Sequence, residues 1–200
     1  SDLEGNPFFI EEIVRALIDE GAIEVVEGRL VVTEKIDTVT IPGTLQEVIL
    51  SRVEKLGPAA RHLLEIGAIL GRSHAHRLLV AVSGSEEPEL LPILDQLKER
   101  QVLEEQEDRS TSSVRRSTLA AERKWVFKHA LIQQAIYESI LLKRRRDLHR
   151  RAALAVEKIY ADRLGDFYPV LALHYGRAED LERAQDYLVK AGEEAVRSAA

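Results

Sequence analysis

A chain of 200 residues with 45% hydrophobic and 31% charged positions has the composition of an ordinary soluble protein, with material for one large or two small domains. It contains no Cys, which excludes disulfides, thiolate metal sites and Cys nucleophiles together and agrees with a reducing, cytoplasmic setting. No apolar run approaches the ~20 residues a membrane-spanning helix needs. There is no Met either, and the chain opens on Ser-Asp-Leu-Glu without a basic-then-apolar leader, so it is expected to be a piece of something longer. The net charge of −6 conceals an asymmetry: residues 1–108 carry −12, residues 109–151 carry +9 and residues 152–200 carry −3. A central basic block of that kind can meet nucleic acid, an acidic partner or the chain's own acidic half.

In chain order, Ile10, Ile13, Val14, Leu17 and Ile18 form a helical stripe, with Glu11, Glu12, Arg15 and Asp19 expected on the opposite face. Asn6 suits the N-cap of this helix, Pro7 its first position and Gly21 its exit. Ile23 to Val26 and Arg29 to Val32 flank Glu27-Gly28, which predicts a hairpin, and Pro42 stops any extended segment that follows. Thr44 to Leu56 reads as a helix with Thr44 as N-cap and Glu47 as its capping-box partner. Three short helices are predicted next, over 58–69, 74–82 and 87–100. Two strand-like pieces, 102–105 and 125–127, then flank a polar stretch from Asp108 to Glu122. Helix, helix, helix, strand, long loop, strand is winged-helix order, and a connection of that length suggests a mobile wing. Further helices are expected over 129–142 and from Lys143 to about Arg163. Tyr168 to Arg177 and Leu181 to Ala199 then place Gly176, Ala178, Ala184, Ala191, Gly192 and Ala195 where two antiparallel helices would touch, as in a tetratricopeptide unit. Such a unit does not close its own core, so further repeats are expected beside it.

Four stretches together carry a likeness: Gly5-Asn6-Pro7-Phe8-Phe9-Ile10-Glu11-Glu12, Ile41-Pro42-Gly43-Thr44-Leu45-Gln46-Glu47-Val48-Ile49, Gly71-Arg72-Ser73, and Phe127-Lys128-His129-Ala130-Leu131-Ile132. In this order they resemble the part that follows the ATPase core in bacterial signal-transduction ATPases with numerous domains, of the kind fused to adenylate or guanylate cyclase or to helix-turn-helix regulator domains. The resemblance implies a mainly α chain. Residues 1–56 would be the helical lid with a small β-hairpin, 57–142 a winged-helix domain, and 143–200 a linker helix with the first tetratricopeptide-like hairpin. It also implies a nucleotide role. Gly5 and Pro7 would help form the wall behind the adenine of ATP or ADP, and His129 would reach the ADP phosphates in a closed resting state. Each has a plainer reading: Asn-Pro as a helix start, and His129 as a helix N-terminal residue satisfied by its own backbone. The motif's best-known form has an acid after the histidine, where this chain has Ala130, which leaves the imidazole without that support. Partners implied are a P-loop ATPase domain, further helical repeats and proteins bound through them.

The residues themselves exclude much chemistry. No Gly-x4-Gly-Lys-Ser/Thr occurs, and between Gly67 and Ser73 the spacing and Arg72 are wrong for a phosphate loop, so autonomous ATP hydrolysis is not expected. His74 and His76 are two apart with no third ligand at helical spacing, so no metal site is assigned. No catalytic residue is assigned, since neither His149 nor His174 has a nucleophile in a recognisable motif. The run Lys143-Arg144-Arg145-Arg146, then His149-Arg150-Arg151, could contact DNA phosphates, but Arg144, Arg145 and Arg151 read better as the solvent side of a helix whose Leu142, Leu148, Ala152 and Val156 face inward. The would-be recognition helix, with Glu87, Glu89, Asp95 and Glu99, is a poor surface for a polyanion. The function expected is a non-catalytic regulatory segment coupling an ATPase to repeats and an output domain. The alternatives are a winged-helix DNA-binding transcription regulator and a helical-repeat scaffold.

Overall fold

The computed structural model describes residues 7–38, 44–107 and 123–199, and the chain divides into two compact units, Ser1–Arg61 and His62–Ala200. The fold is mainly helical with small antiparallel sheets. Gly5, the Asn6 cap, the Pro42 stop and the expected wing between Asp108 and Glu122 lie outside the described residues.

In the first unit, α1 (Pro7–Asp19) starts at the proline, where a missing N–H costs no hydrogen bond. It leaves through Gly21 at φ +69, whose amide donates to Ile18 O at 2.9 Å while Ala22 N donates to Leu17 O at 2.9 Å. Strands β1 (Ile23–Val26) and β2 (Arg29–Val32) pair antiparallel, with Val25 opposite Leu30. Their turn places Glu27 at φ 49 and Gly28 at φ 76, the left-handed pair that matches the twist of a two-residue hairpin. Thr33 fastens the hairpin to the helix exit by donating its hydroxyl to Gly21 O at 2.8 Å. Helix α2 (Leu45–Glu54) opens with the expected capping box: Thr44 Oγ1 accepts from Glu47 N at 3.2 Å, and Glu47 Oε2 accepts from Thr44 N at 3.3 Å.

The buried face of α1 differs from the stripe expected. Glu12 is 2% exposed, whereas Ile10 and Ile18 are 58% and 37% exposed. The cause is Arg52 of α2, itself buried, whose guanidinium donates to the Glu12 carboxylate and lies 3.6 Å from Asp19. A carboxylate can turn inward only when a cation meets it there, and periodicity alone does not register that pairing.

The second unit starts within α3 (Pro58–Leu70) and continues through β3 (Ser73–Ala75), α4 (His76–Ser83), α5 (Glu87–Glu99), β4 (Leu103–Glu107) and β5 (Arg123–Phe127). The sheet order is β3-β5-β4, all antiparallel, with His74 and Glu105 on either side of Trp125. Strand β3 corrects the helix expected from residue 74, which begins at His76 instead. Three residues are too few to show alternation. Leu64, Ile66, Leu79, Leu94, Phe127 and Ile132 are fully buried in this unit. Each such side chain contributes on the order of 2 kcal/mol of transfer free energy.

The helix expected over 129–142 is also corrected: α6 (Ala130–Ser139) ends before α7 (Leu142–Ile159) begins, and Leu142, expected on the inward face, is exposed in the first turn of α7. Ile140 turns to extended backbone at ψ 126 and is buried, and Arg145 donates to the carbonyls of Glu138 and Ile140 at 3.1 and 2.9 Å. The guanidinium thus satisfies carbonyls the helix end leaves without intrahelical donors. After a 3-10 stretch (Ala161–Phe167), α8 (Tyr168–Arg177) and α9 (Leu181–Ala199) form a helical hairpin. Of the small-residue seam expected, Gly176 approaches α9, an added Cβ there standing 3.9 Å from Ala184 Cβ, whereas Gly192 and Ala195 are exposed and do not belong to it. Tyr175 and Tyr187 stack with centroids 5.7 Å apart, and Tyr187 Oη donates to Glu157 of α7 at 2.6 Å. Among the described residues no helix is long and apolar enough to cross a membrane.

Candidate functional site

Of the three residues assigned to nucleotide, Gly5 is outside the described residues, Pro7 belongs to the first unit and His129 to the second. Pro7 is exposed at the start of α1, with its ring on a helix end that needs no donor there. His129 is the N-cap of α6, half-buried, with extended backbone (φ −130, ψ 139). Its carbonyl accepts from Ile132 N at 3.1 Å, and its side chain makes no capping hydrogen bond to the helix. The first turn of α6 carries no acid that would repel an anion at this helix end.

The basic run of α7 is held largely by the fold itself. Arg144 donates to Glu65 at 2.7 Å and to His62 Nδ1 at 2.6 Å. Arg145 holds the end of α6 and lies 4.6 Å over the Tyr137 ring. Arg146 pairs with Glu179, and Arg151 donates to Val82 O. Four arginines of the +9 block therefore face partners in the same unit. Helix α5 has Glu87 and Glu89 in its first turn.

His74 and His76, to which no metal site is assigned, are held within the fold. His74 is buried between α3 and the sheet, its Nδ1 donating to Gly71 O at 3.1 Å, and burial holds its pKa down at about 4. An added Cβ on Gly67 would lie 3.0 Å from His74 Cε1 and 3.4 Å from Phe127 Cε2, so that glycine is the space the imidazole occupies. His76 Nδ1 accepts from Trp125 Nε1 at 3.0 Å, which places the ring proton on Nε2, 2.9 Å from Glu87 Oε1. A Glu–His pair of this kind could orient a catalytic base, but the base's lone pair is spent on Trp125. Among the described residues no group of three or more His, Cys, Asp or Glu could hold a metal ion.

One cluster escaped the sequence reading. His149 of α7 and His174 of α8 face each other with Nδ1 atoms 2.8 Å apart, and Tyr137 Oη of α6 lies 3.1 Å from His149 Nε2. Burial, then His174, Arg177 and Arg145, hold His149 down at about 3, and burial holds His174 at about 4. The pair is 25 residues apart in sequence, and local pattern did not join the two, since His149 stood within the basic run of α7.

No protein family model matches this chain, nor does any curated protein or solved structure.

Proposed function

We propose that this chain is a regulatory, non-catalytic segment of an ATP-dependent signalling protein. Residues 1–56 would serve as a nucleotide-sensing lid, 57–142 as a winged-helix clamp, and 143–200 as the linker helix and first tetratricopeptide-like hairpin. The reading rests on the resemblance of four ordered stretches, and the observation that carries it is the start of α6. His129 stands there with no acid in the first turn, the arrangement in which helix amides and an imidazole can meet a phosphate together. A three-stranded antiparallel sheet formed with α3, α4 and α5 supports the winged-helix assignment. The hairpin of α8 and α9, with its small-residue approach at Gly176, supports the repeat assignment. In this latch, ADP bridges a P-loop ATPase core to Pro7 and His129, and exchange for ATP releases it. The test is association of the chain with its ATPase module, measured by calorimetry with and without ADP. Binding that strengthens with ADP supports the latch, and binding indifferent to nucleotide contradicts it.

The +9 block favours a second reading, a DNA-binding winged helix. Against it stand the engaged arginines and the acids of α5. Fluorescence anisotropy with duplex DNA discriminates: tight binding with a steep salt dependence would restore this reading, and a flat titration removes it.

A further inference from the structure

The described surface offers an apolar hairpin face (Val25, Leu30, Val32) and an apolar side of α9 (Leu181, Leu188, Val196), but nothing indicates what would cover either. The interior offers more. The His149–His174 contact joins two helices through atoms that can hold only one proton between them in the neutral state. One Nδ1 must donate and the other accept. Tyr137 continues the chain, so three helices, α6, α7 and α8, meet at a single run of shared protons.

The surroundings of this run are cationic. Arg145, on α7, lies over the Tyr137 ring, and Arg177, on α8, acts on His149 in the same sense. The nearby acids are engaged elsewhere. Glu138 of α6 accepts from Gln134 at 2.9 Å, and Glu179, after α8, pairs with Arg146. From α9, Arg183 donates to Tyr175 Oη at 3.0 Å and Tyr187 binds Glu157; from α4, Arg77 stacks on Tyr160 at 4.2 Å; from the 3-10 stretch, Arg163 also covers Tyr160. The closed pair keeps its hydrogen bond with at most one ring charged; with both rings protonated, two N–H groups would face each other at 2.8 Å, beside two guanidinium groups.

We propose that the His149–His174–Tyr137 contact is an acid-sensitive joint, through which mild acidification releases the α8–α9 hairpin from α7. The neutral pair holds the hairpin in place. An exposed histidine takes up a proton near its ordinary pKa of about 6.5, so acid favours whichever state brings these rings to water. With folded values near 3 and 4, acidification to pH 5 raises the open population by about 30-fold per ring.

The experiment is hydrogen–deuterium exchange of the full chain at pH 7.5 and 5.0, corrected for intrinsic exchange. The expected result is that peptides from α8 and α9 open at least about 30-fold more at pH 5.0. In the His149→Leu/His174→Leu variant that pH dependence should vanish there while persisting in β3 and β5 around His74. Unchanged exchange of α8 in the native chain, or an undiminished pH effect in the variant, overturns the joint. Should the variant lose its fold, imidazole nitrogen NMR of the native chain decides. Both rings should remain neutral in the closed state down to pH 5, and a ring that titrates near 6.5 with α8 still protected refutes the proposal.

Discussion

Replacing Gly67 by alanine sets two local effects against each other. In the interior of a helix, Gly→Ala stabilises by about 1 kcal/mol through backbone entropy. Gly67 lies within α3, so propensity alone predicts a gain. The packing predicts the reverse. The new Cβ would stand 3.0 Å from His74 Cε1, 3.2 Å from Nε2 and 3.4 Å from Phe127 Cε2. His74 cannot withdraw, being 4% exposed and tied to Gly71 O, and Phe127 is fully buried. Overpacking of this kind costs about 1–3 kcal/mol, so the net expectation is a loss of about 1 kcal/mol. Gly192 is the control: it is helical in α9, an added Cβ there would meet no heavy atom within 4 Å, and Gly192→Ala should stabilise by about 0.5–1 kcal/mol. Urea unfolding followed by circular dichroism gives both values, and the fluorescence of the single, buried Trp125 isolates the sheet. Gly67→Ala should also cost less in a His74→Ala background. If Gly67→Ala stabilises as much as Gly192→Ala, the packing of His74 against α3 is wrong.

Other expectations follow from the same contacts. Thr44→Ala removes the capping box of α2 and should cost about 1 kcal/mol, read as faster proteolysis of the first unit. Arg52→Met leaves the Glu12 carboxylate buried without its cation and should cost about 3–5 kcal/mol; Glu12→Leu in the same chain should recover most of it, and an additive double variant would contradict the pairing. His74, buried as the neutral ring, has a folded pKa near 4 against about 6.5 unfolded, so its contribution is complete above pH 6.5 and lost as pH falls through that window to 4. The loss at pH 4 is on the order of 3 kcal/mol, and it should shrink in His74→Leu when stability is measured against pH. Arg144→Ala breaks an exposed pair and should change stability by less than about 1 kcal/mol in a salt titration.

Where the chain follows strong local rules, the sequence was sufficient. The Thr44–Glu47 box, the Glu27-Gly28 turn and the Gly21 exit depend on neighbours within a few residues, and each takes the predicted geometry. Long-range pairings were not legible. Glu12 reads as a surface acid until Arg52, 40 residues on, draws it inward. Strand β3 has no periodicity of its own and exists because β5 pairs with it. The break at Ile140 follows from Arg145 reaching back to two carbonyls. Gly67 looked like part of a failed phosphate loop, and its use is to admit an imidazole. At the candidate site, the sequence located His129 at a helix start but could not show whether its side chain caps that helix. The His149–His174 pair was not legible: His149 read as part of a basic run, and its partner lies 25 residues on.

The proposed latch is tested most directly by the ADP affinity of this chain joined to the P-loop ATPase module that the proposal requires, measured by calorimetry for the native form and for His129→Ala. One charge-assisted hydrogen bond to a phosphate contributes about 1.5–3 kcal/mol, so the variant should bind ADP roughly 10- to 100-fold more weakly and show raised basal output. Unchanged ADP affinity together with unchanged basal output would contradict the role assigned to His129 and, with it, the clamp.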